Sequence, residues 1–558
     1  MPRFLAAVAG LFLFVAVAVS PRSSHAAGEL TIGMTQFPST LNPLIESMLV
    51  KSYVLAMTRR PVTVYDQNWE LVCLICSELP TIENGGAVPM VLEDGSEGIA
   101  VTYSLLPDIT WGDGKPVTTA DVVFTWEVGR HPKSGAGNFE AFRRIQSIDV
   151  QDERTFTVLV DRITYKYNGA SGLDLLPAHI ERPIFEADPF EYRNRTTFDA
   201  DPTNPGLYFG PYRVTEVESG AYIVLEPNPT WYGKAPAFDR ITVRTIENSA
   251  ALEANLLSGA IDMVAGEGAG LSIDQALAFE RRHGDRFQVY FKPSLTYEHI
   301  DLDLTNPILQ DIRVRQALIH GIDREALSAQ LFGGKQPVAH ASVNPLDWVH
   351  DPEVPKYAYD PEKAAALLDA AGWNVIQDGI RHNADGQRLS LPFGTTAGNR
   401  TRELVQQVLQ SQWREIGVEM RIKNQPARVF FAQTLSQRKY GGLAMFAWMT
   451  QPEHIPLTTM HSNQIPTAEN NWTGQNYTSF DNPEMDRLID AIERELDRAE
   501  RKLLWHELQR LYVEELPVIP LYWRANTFIM PKWLKGVRPT GNMHTSTFWI
   551  EDWYREDG

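Results

Sequence analysis

Residues 109–124 read Ile109-Thr110-Trp111-Gly112-Asp113-Gly114-Lys115-Pro116-Val117-Thr118-Thr119-Ala120-Asp121-Val122-Val123-Phe124. Trp111-Gly112-Asp113-Gly114 has the composition of a tight turn with an aromatic anchor. Thr118-x-x-Asp121 then has the form of a helix capping box, with Val122, Val123 and Phe124 opening the helix behind it. Just upstream, Val101 to Leu105 is β-branched and aromatic, so the block reads as strand, turn and helix in immediate succession. The same alternation extends outward in both directions. Thr31 to Thr35, Thr155 to Val160, Ile241 to Ile246 and Phe287 to Phe291 are strand-like runs bounded by Gly, Pro or Asp. Arg213 to Val217 and Tyr222 to Leu225 flank Ser219-Gly220, which predicts a hairpin.

Helices are marked by their ends. Asp360 caps a segment with Pro361 first, Leu367 and Leu368 on its apolar face, and Gly372 beyond its end. Asn482-Pro483 opens another, with Met485, Leu488, Ile489 and Ile492 at helical spacing. A third carries Leu404, Val405, Val408, Leu409 and Ile416 and stops at Gly417. The fold class is mixed α/β. No Pro/Gly/Ser-rich linker divides the chain, which favours lobes crossed more than once over beads on a string.

The chain has 558 residues, with 51 Lys+Arg against 70 Asp+Glu and a formal charge of −19. That length corresponds to about three or four domains, or two large lobes. With 43% apolar and 22% charged residues the composition is globular, which excludes a largely disordered chain. So negative a surface repels phosphate backbones and anionic membranes, so nucleic acid is not an expected partner.

Met1-Pro2-Arg3 forms a positive start, Phe4 to Val19 carries no charge, and Ser24-His25-Ala26 places small residues at −3 and −1. Residues 1–26 therefore read as a cleavable signal peptide rather than a membrane anchor. With no Cys near the cut, a lipoprotein is not expected; the predicted location is the periplasm. There Cys73 and Cys76 are expected to close a disulfide, although a buried reduced pair, a redox pair or half of a metal site share the same spacing.

Catalytic motifs are missing. There is no P-loop, no G-x-S-x-G elbow and no H-E-x-x-H helix. Ser436-x-x-Lys439 lacks its companion motifs, and Asp301-x-Asp303 lacks the Gly and Glu of a calcium loop; it reads as one polar face of a strand. No enzyme activity, cofactor or metal is expected.

Several ordered blocks resemble the bacterial extracellular solute-binding proteins, family 5, the peptide- and nickel-binding components of ABC importers. The likeness is carried by Thr102-Tyr103-Ser104-Leu105 with residues 109–124, Leu41-Asn42-Pro43-Leu44, Gly210-Pro211-Tyr212, Leu225-Glu226-Pro227-Asn228-Pro229, and Leu257-Ser258-Gly259-Ala260-Ile261-Asp262. It continues through Val314-Arg315-Gln316-Ala317-Leu318, Tyr359-Asp360-Pro361, and Leu516-Pro517-Val518-Ile519-Pro520-Leu521-Tyr522. The resemblance implies an α/β (mixed α+β), two-lobed periplasmic binding protein fold of type II. Lobe one would hold residues 27–293 plus 525–558, with an extra subdomain inserted at about 60–200, and lobe two residues 294–524. It further implies a monomer that captures a peptide-like solute between the lobes and hands it to inner-membrane permease subunits. A non-peptide solute (opine, sugar derivative or metal chelate) is the alternative, and a hydrolase or sensor on the same fold a more distant one.

In peptide-binding relatives an acidic residue after an aromatic-rich strand often holds the peptide ammonium. The corresponding stretch is Phe446-Ala447-Trp448-Met449-Thr450-Gln451-Pro452-Glu453-His454, where the usual Asp-rich sequence is absent and Glu453 is the candidate. Trp448 offers a broad face to line a cleft, with lobe-two core as its other reading. Asn476 and Tyr477 could supply hydrogen bonds from a polar loop, or simply form a surface turn. Asn399 and Arg400, before a helix start, could take a ligand carboxylate or merely cap the helix. Tyr297 and His299 complete the candidate set, close to where the resemblance implies that a two-strand hinge joins the lobes.

Overall fold

Two long antiparallel strands, Phe287–Leu302 and Val518–Pro531, form the spine of the computed structural model, which describes residues 28–556 except 47, 138, 171, 172 and 247. They sit in a ten-stranded sheet. On one flank Val518–Pro531 pairs with Met263–Val264, then come Glu29–Met34, Arg240–Thr245, Tyr222–Pro227 and Tyr212–Glu218. On the other, Phe287–Leu302 pairs with Leu443–Met449, followed by Ser390–Gly394 and Glu419–Ile422. The signal-peptide segment lies outside the described residues.

The spine is irregular at one point. Its register shifts between Pro293, opposite Ala525, and Tyr297, opposite Trp523. Proline donates no ladder hydrogen bond and is tolerated at such a break. The strand expected over Phe287 to Phe291 thus runs on to Leu302. Most residues from Ser294 onward are buried whichever face they take, so the alternation that marks a half-exposed strand is absent there. Asp301 and Asp303, expected on a polar face, are buried; Asp301 faces His299 and Asp303 accepts from Thr305 Oγ1 at 2.6 Å.

Separate apolar cores lie on either side of that break. One gathers Leu30, Ile32, Trp111, Phe124, Tyr212, Phe528 and Trp553. A second gathers Ile300, Leu318, Phe393, Leu409, Trp413 and Tyr522. The arrangement is mixed α/β and two-lobed, with a four-stranded antiparallel sheet, Ala87–Val91, Glu97–Ser104, Thr155–Val160 and Ile145–Val150, as a further layer on the first side. Its edge strand Ala87–Val91 is mostly exposed and carries Pro89, which blunts strand-to-strand association.

Residues 109–124 form the predicted turn and helix. Gly114 takes φ +85° and its N–H bonds Trp111 O at 2.8 Å. A side chain on Gly112 would strike Pro205 O. Thr118 N–H donates to Asp121 Oδ2 at 2.9 Å, and the helix Thr119–Arg130 follows. The same carboxylate receives Trp111 Nε1–H and, through its other oxygen, Ala178 N–H at 2.8 Å. The motif is therefore a packing node: its Trp is fully buried in the first core, away from the large cavity described below.

The helices Pro361–Ala370 and Pro483–Arg494 start on their Asp360 and Asn482 caps. In Arg400–Glu415 the apolar face is Val405, Leu409 and Trp413; Leu404, expected in the core, is exposed and Gln406 takes the inward place.

Candidate functional site

A cavity of about 780 Å³ opens between the two sides of the spine. From the first side it is walled by a hairpin, Thr63–Tyr65 with Leu71–Cys73, whose Tyr65, Trp69, Glu70 and Leu71 face the space. Asp66 builds the turn, its Oδ1 accepting from Asn68 and Glu70 N–H at 2.8 and 3.1 Å. Trp69 adopts φ +66° and is held by Nε1–H donating to Thr540 O at 2.6 Å. Cys76 is disulfide-bonded to Cys73, with Cα atoms 5.2 Å apart, and ties the hairpin to the neighbouring sheet at Leu105. The segment Tyr165–Ala170 and the C-terminal residues His544 and Phe548 complete this wall.

The opposite wall comes from Trp348, Gln451, Pro452, Glu453, Arg498 and Arg501. Concave cavities of this size between two walls are a usual form of small-ligand site. The walls also touch directly. Tyr165 N–H donates to Glu493 O at 3.0 Å and its hydroxyl to Glu453 O. Its ring is buried in a cluster otherwise made by Val349, Ile455, Met485, Trp505 and neighbours from residues 341–518. Arg498 meets Glu70 at 2.9 Å, and Arg494 meets Glu97.

Charge in the cavity is largely paired. Glu453 accepts from Trp348 Nε1–H at 3.1 Å and from Arg501, which also donates to Glu495 O at 2.8 Å. Burial pushes the Glu453 carboxyl upward against the pull of Arg501. Asp347, behind it, accepts Glu453 N–H and is raised by burial to about 6. Lys51 donates to the carbonyls of Asn42, Ile45 and Glu46 and is lowered by burial to about 8. Asp174 is raised by burial, with Arg59 and Lys51 opposing. Lys166 makes no hydrogen bond through Nζ to the described residues, and burial lowers it while Glu453, Glu493 and Asp347 pull the other way. Among the described residues no group of three or more His, Cys, Asp or Glu could hold a metal ion.

Of the eight candidates drawn from the sequence, Glu453 lines this cavity and the other seven do not. Each Glu453 oxygen accepts one bond, from Trp348 and from Arg501. Trp448 is half-buried, stacked on Tyr477 at 6.1 Å and edge-on to Phe446 at 5.3 Å, in a cluster with Phe430 and Tyr440. Asn476 is fully buried and staples its own loop, donating to His461 O and Phe480 O at 3.1 and 2.8 Å. Asn399 caps its helix by accepting Arg402 N–H at 3.1 Å, and Arg400 is exposed beside it. Tyr297 and His299 are buried in the spine. Tyr297 Oη pairs with Tyr512 Oη at 3.2 Å, and the His299 ring stacks on Tyr297 with Nδ1 3.1 Å from Tyr297 O.

Sequence reasoning passes over Tyr65, Trp69, Tyr165, Lys166, Trp348 and His544. The one local signal is the position of Trp69 and Glu70 beside Cys73, in a hairpin that a disulfide would rigidify.

A two-lobed α/β fold with an aromatic cavity closed from both sides defines a solute-binding protein. Residues 88–464 match the bacterial extracellular solute-binding proteins, family 5 (middle region), and the chain belongs to that family. It is 24% identical over 542 residues to the oligopeptide-binding protein AppA of Bacillus subtilis (strain 168), covering 94% of this chain and 91% of that protein. A solved structure of the oligopeptide binding protein from Thermus thermophilus, complexed with pentapeptide, is similar with TM-score 0.67 and 28% identity, over 95% of this chain and 96% of that one. NikA from Brucella suis in complex with Fe(III)-EDTA gives TM-score 0.73 at 17% identity, over 95% and 100%, a likeness of fold alone.

Proposed function

We propose that this protein is the periplasmic substrate-binding component of an ABC importer, capturing a peptide-like solute between its lobes and delivering it to inner-membrane permease subunits. The observation that carries the reading is the cavity of about 780 Å³ whose walls come from both sides of the spine and meet through Tyr165, Glu70 and Arg498. A ligand touching both walls favours the closed arrangement over an open one, because only closure lets it contact both. Relatives named as oligopeptide-binding proteins, one of them solved with a pentapeptide, support a peptide as the solute.

Lobe one is read as 27–293 with 525–558 and lobe two as 294–524, a division supported by the loss of register in the spine near residues 293 and 525. The first 26 residues are a cleaved signal peptide without a lipid anchor, the mature protein acts as a monomer, and it turns over no substrate. The test is mass spectrometry of the ligand released from protein purified natively from periplasm. A recovered peptide is the expected result; an opine, sugar derivative or chelate instead would overturn the peptide reading, and turnover of the recovered compound would overturn the binding role.

A further inference from the structure

Lys166 stands out among the cavity's charged groups. Lys51 is spent on three backbone carbonyls, Arg501 on Glu453 and two further carbonyls, and Arg498 on Glu70. The Lys166 ammonium has no such acceptor among the described residues. Its Nζ stands 5.3 Å from the Tyr165 ring, and the side chain is only partly exposed. Lys166 also lines a second, smaller cavity of about 250 Å³, where Glu493 is the one acid on the wall among the described residues.

Two of the three acids that pull on it are hydrogen-bonded elsewhere. Glu453 is bonded to Arg501 and Trp348, and Asp347 to the N–H groups of Glu453 and Val349, while Glu493 shares the smaller cavity with the lysine. They hold the lysine in an electrostatically favourable place without occupying its three donors. The ammonium keeps contact with the solvent of the cavity, and a ligand carboxylate placed there makes a charge-assisted hydrogen bond in its stead.

Resting on the reading of this cavity as a peptide site, we infer that Lys166 recognises a ligand carboxylate, so that the protein selects peptides with a free acid terminus. The anchor is then a cation on the Tyr165–Ala170 segment of the first wall, beside the point where the walls touch.

The probe is a degenerate library of tri- to hexapeptides made in two forms, free acid and C-terminal amide. Retention on ligand-stripped full-length protein is read by mass spectrometry. The native protein is expected to retain free acids at least about tenfold over amides, the scale of one charge-assisted bond lost. Lys166→Met should abolish that preference while still retaining peptides, and Lys166→Arg should keep it. Lys166→Gln keeps the test readable should the Met variant fail to fold. Equal retention of both forms by the native protein, or a preference that survives in Lys166→Met and Lys166→Gln, overturns the assignment of Lys166. Retention of neither form by the native protein overturns the peptide reading beneath it, so the two failures are told apart.

Discussion

Replacing Tyr165 by Ala removes the side chain that crosses from one wall of the cleft into the apolar cluster of the other. In the closed arrangement the residue is 6% exposed. A tyrosine buries roughly 150–250 Å² in such a setting. If about 100 Å² of that is newly covered on closure, the loss is about 2.5 kcal/mol at roughly 25 cal/mol per Å². The hydroxyl bond to Glu453 O adds about 1 kcal/mol. The backbone bond from Tyr165 N–H to Glu493 O survives the substitution. A total of about 3.5 kcal/mol is a few hundred-fold in the closing equilibrium, and ligand affinity falls by the same factor. Tyr165→Phe, which keeps the ring and loses only the hydroxyl, is expected to cost about fivefold. Calorimetric titration with the ligand released from native protein measures both, and small-angle scattering reports the accompanying expansion. The reasoning is refuted if Tyr165→Ala binds as tightly as the native protein, or if the Phe variant loses as much as the Ala variant.

Three further outcomes follow from buried polar groups and a helix cap. Glu298, fully buried in the spine, is bonded by Arg402 at 2.7 Å and by Arg524; burial raises its carboxyl, but the two guanidinium groups outweigh that and hold it below the usual range. Glu298→Gln should destabilise by about 3–5 kcal/mol in urea unfolding, since both cations lose their counter-charge. Glu267 is raised by burial to about 7, its Oε1 accepting Ser546 N–H at 2.7 Å. Its folded form therefore binds protons more tightly than its unfolded form, so the native protein loses stability as pH rises from about 4.5 to 7, by up to about 3 kcal/mol. Glu267→Gln should flatten that slope and be the more stable protein at pH ~8, above the raised value; melting curves that stay parallel across this range would contradict it. Asn482→Ala removes the cap that accepts Glu484 and Met485 N–H at 2.9 and 3.2 Å and should cost about 1 kcal/mol by the same unfolding measurement.

Features encoded locally are legible in the sequence. Pro361 behind Asp360 and Pro483 behind Asn482 state their helix starts within a few residues, and Thr118 with Asp121 does the same. The strand through Ser294–Leu302 is not readable beyond its beginning, because burial on both faces erases the period-two pattern. Leu404 is misplaced for a related reason. It and Val405 are adjacent and equally apolar, and only the tertiary packing decides which one turns inward.

The candidate site is far less legible. Trp448 and Tyr477 have the chemistry of pocket residues and are paired with each other in an apolar cluster with Phe430, Tyr440 and Phe446. Glu453 lines the cavity, but its partner Arg501 lies 48 residues on, and nothing in the local sequence announces that the two meet. Tyr65, Lys166, Trp348 and His544 reach one cavity from four separate segments of the chain. The spine that brings them together is formed by segments more than 200 residues apart.

The most direct test is a crystal structure of the protein with its natively retained ligand. A peptide lying between Trp69 and Tyr165 on one wall and Trp348 on the other, with a carboxylate on Lys166, is the predicted result. Ligand density against Trp448 and Tyr477, with the cavity between the lobes holding only solvent, would contradict it.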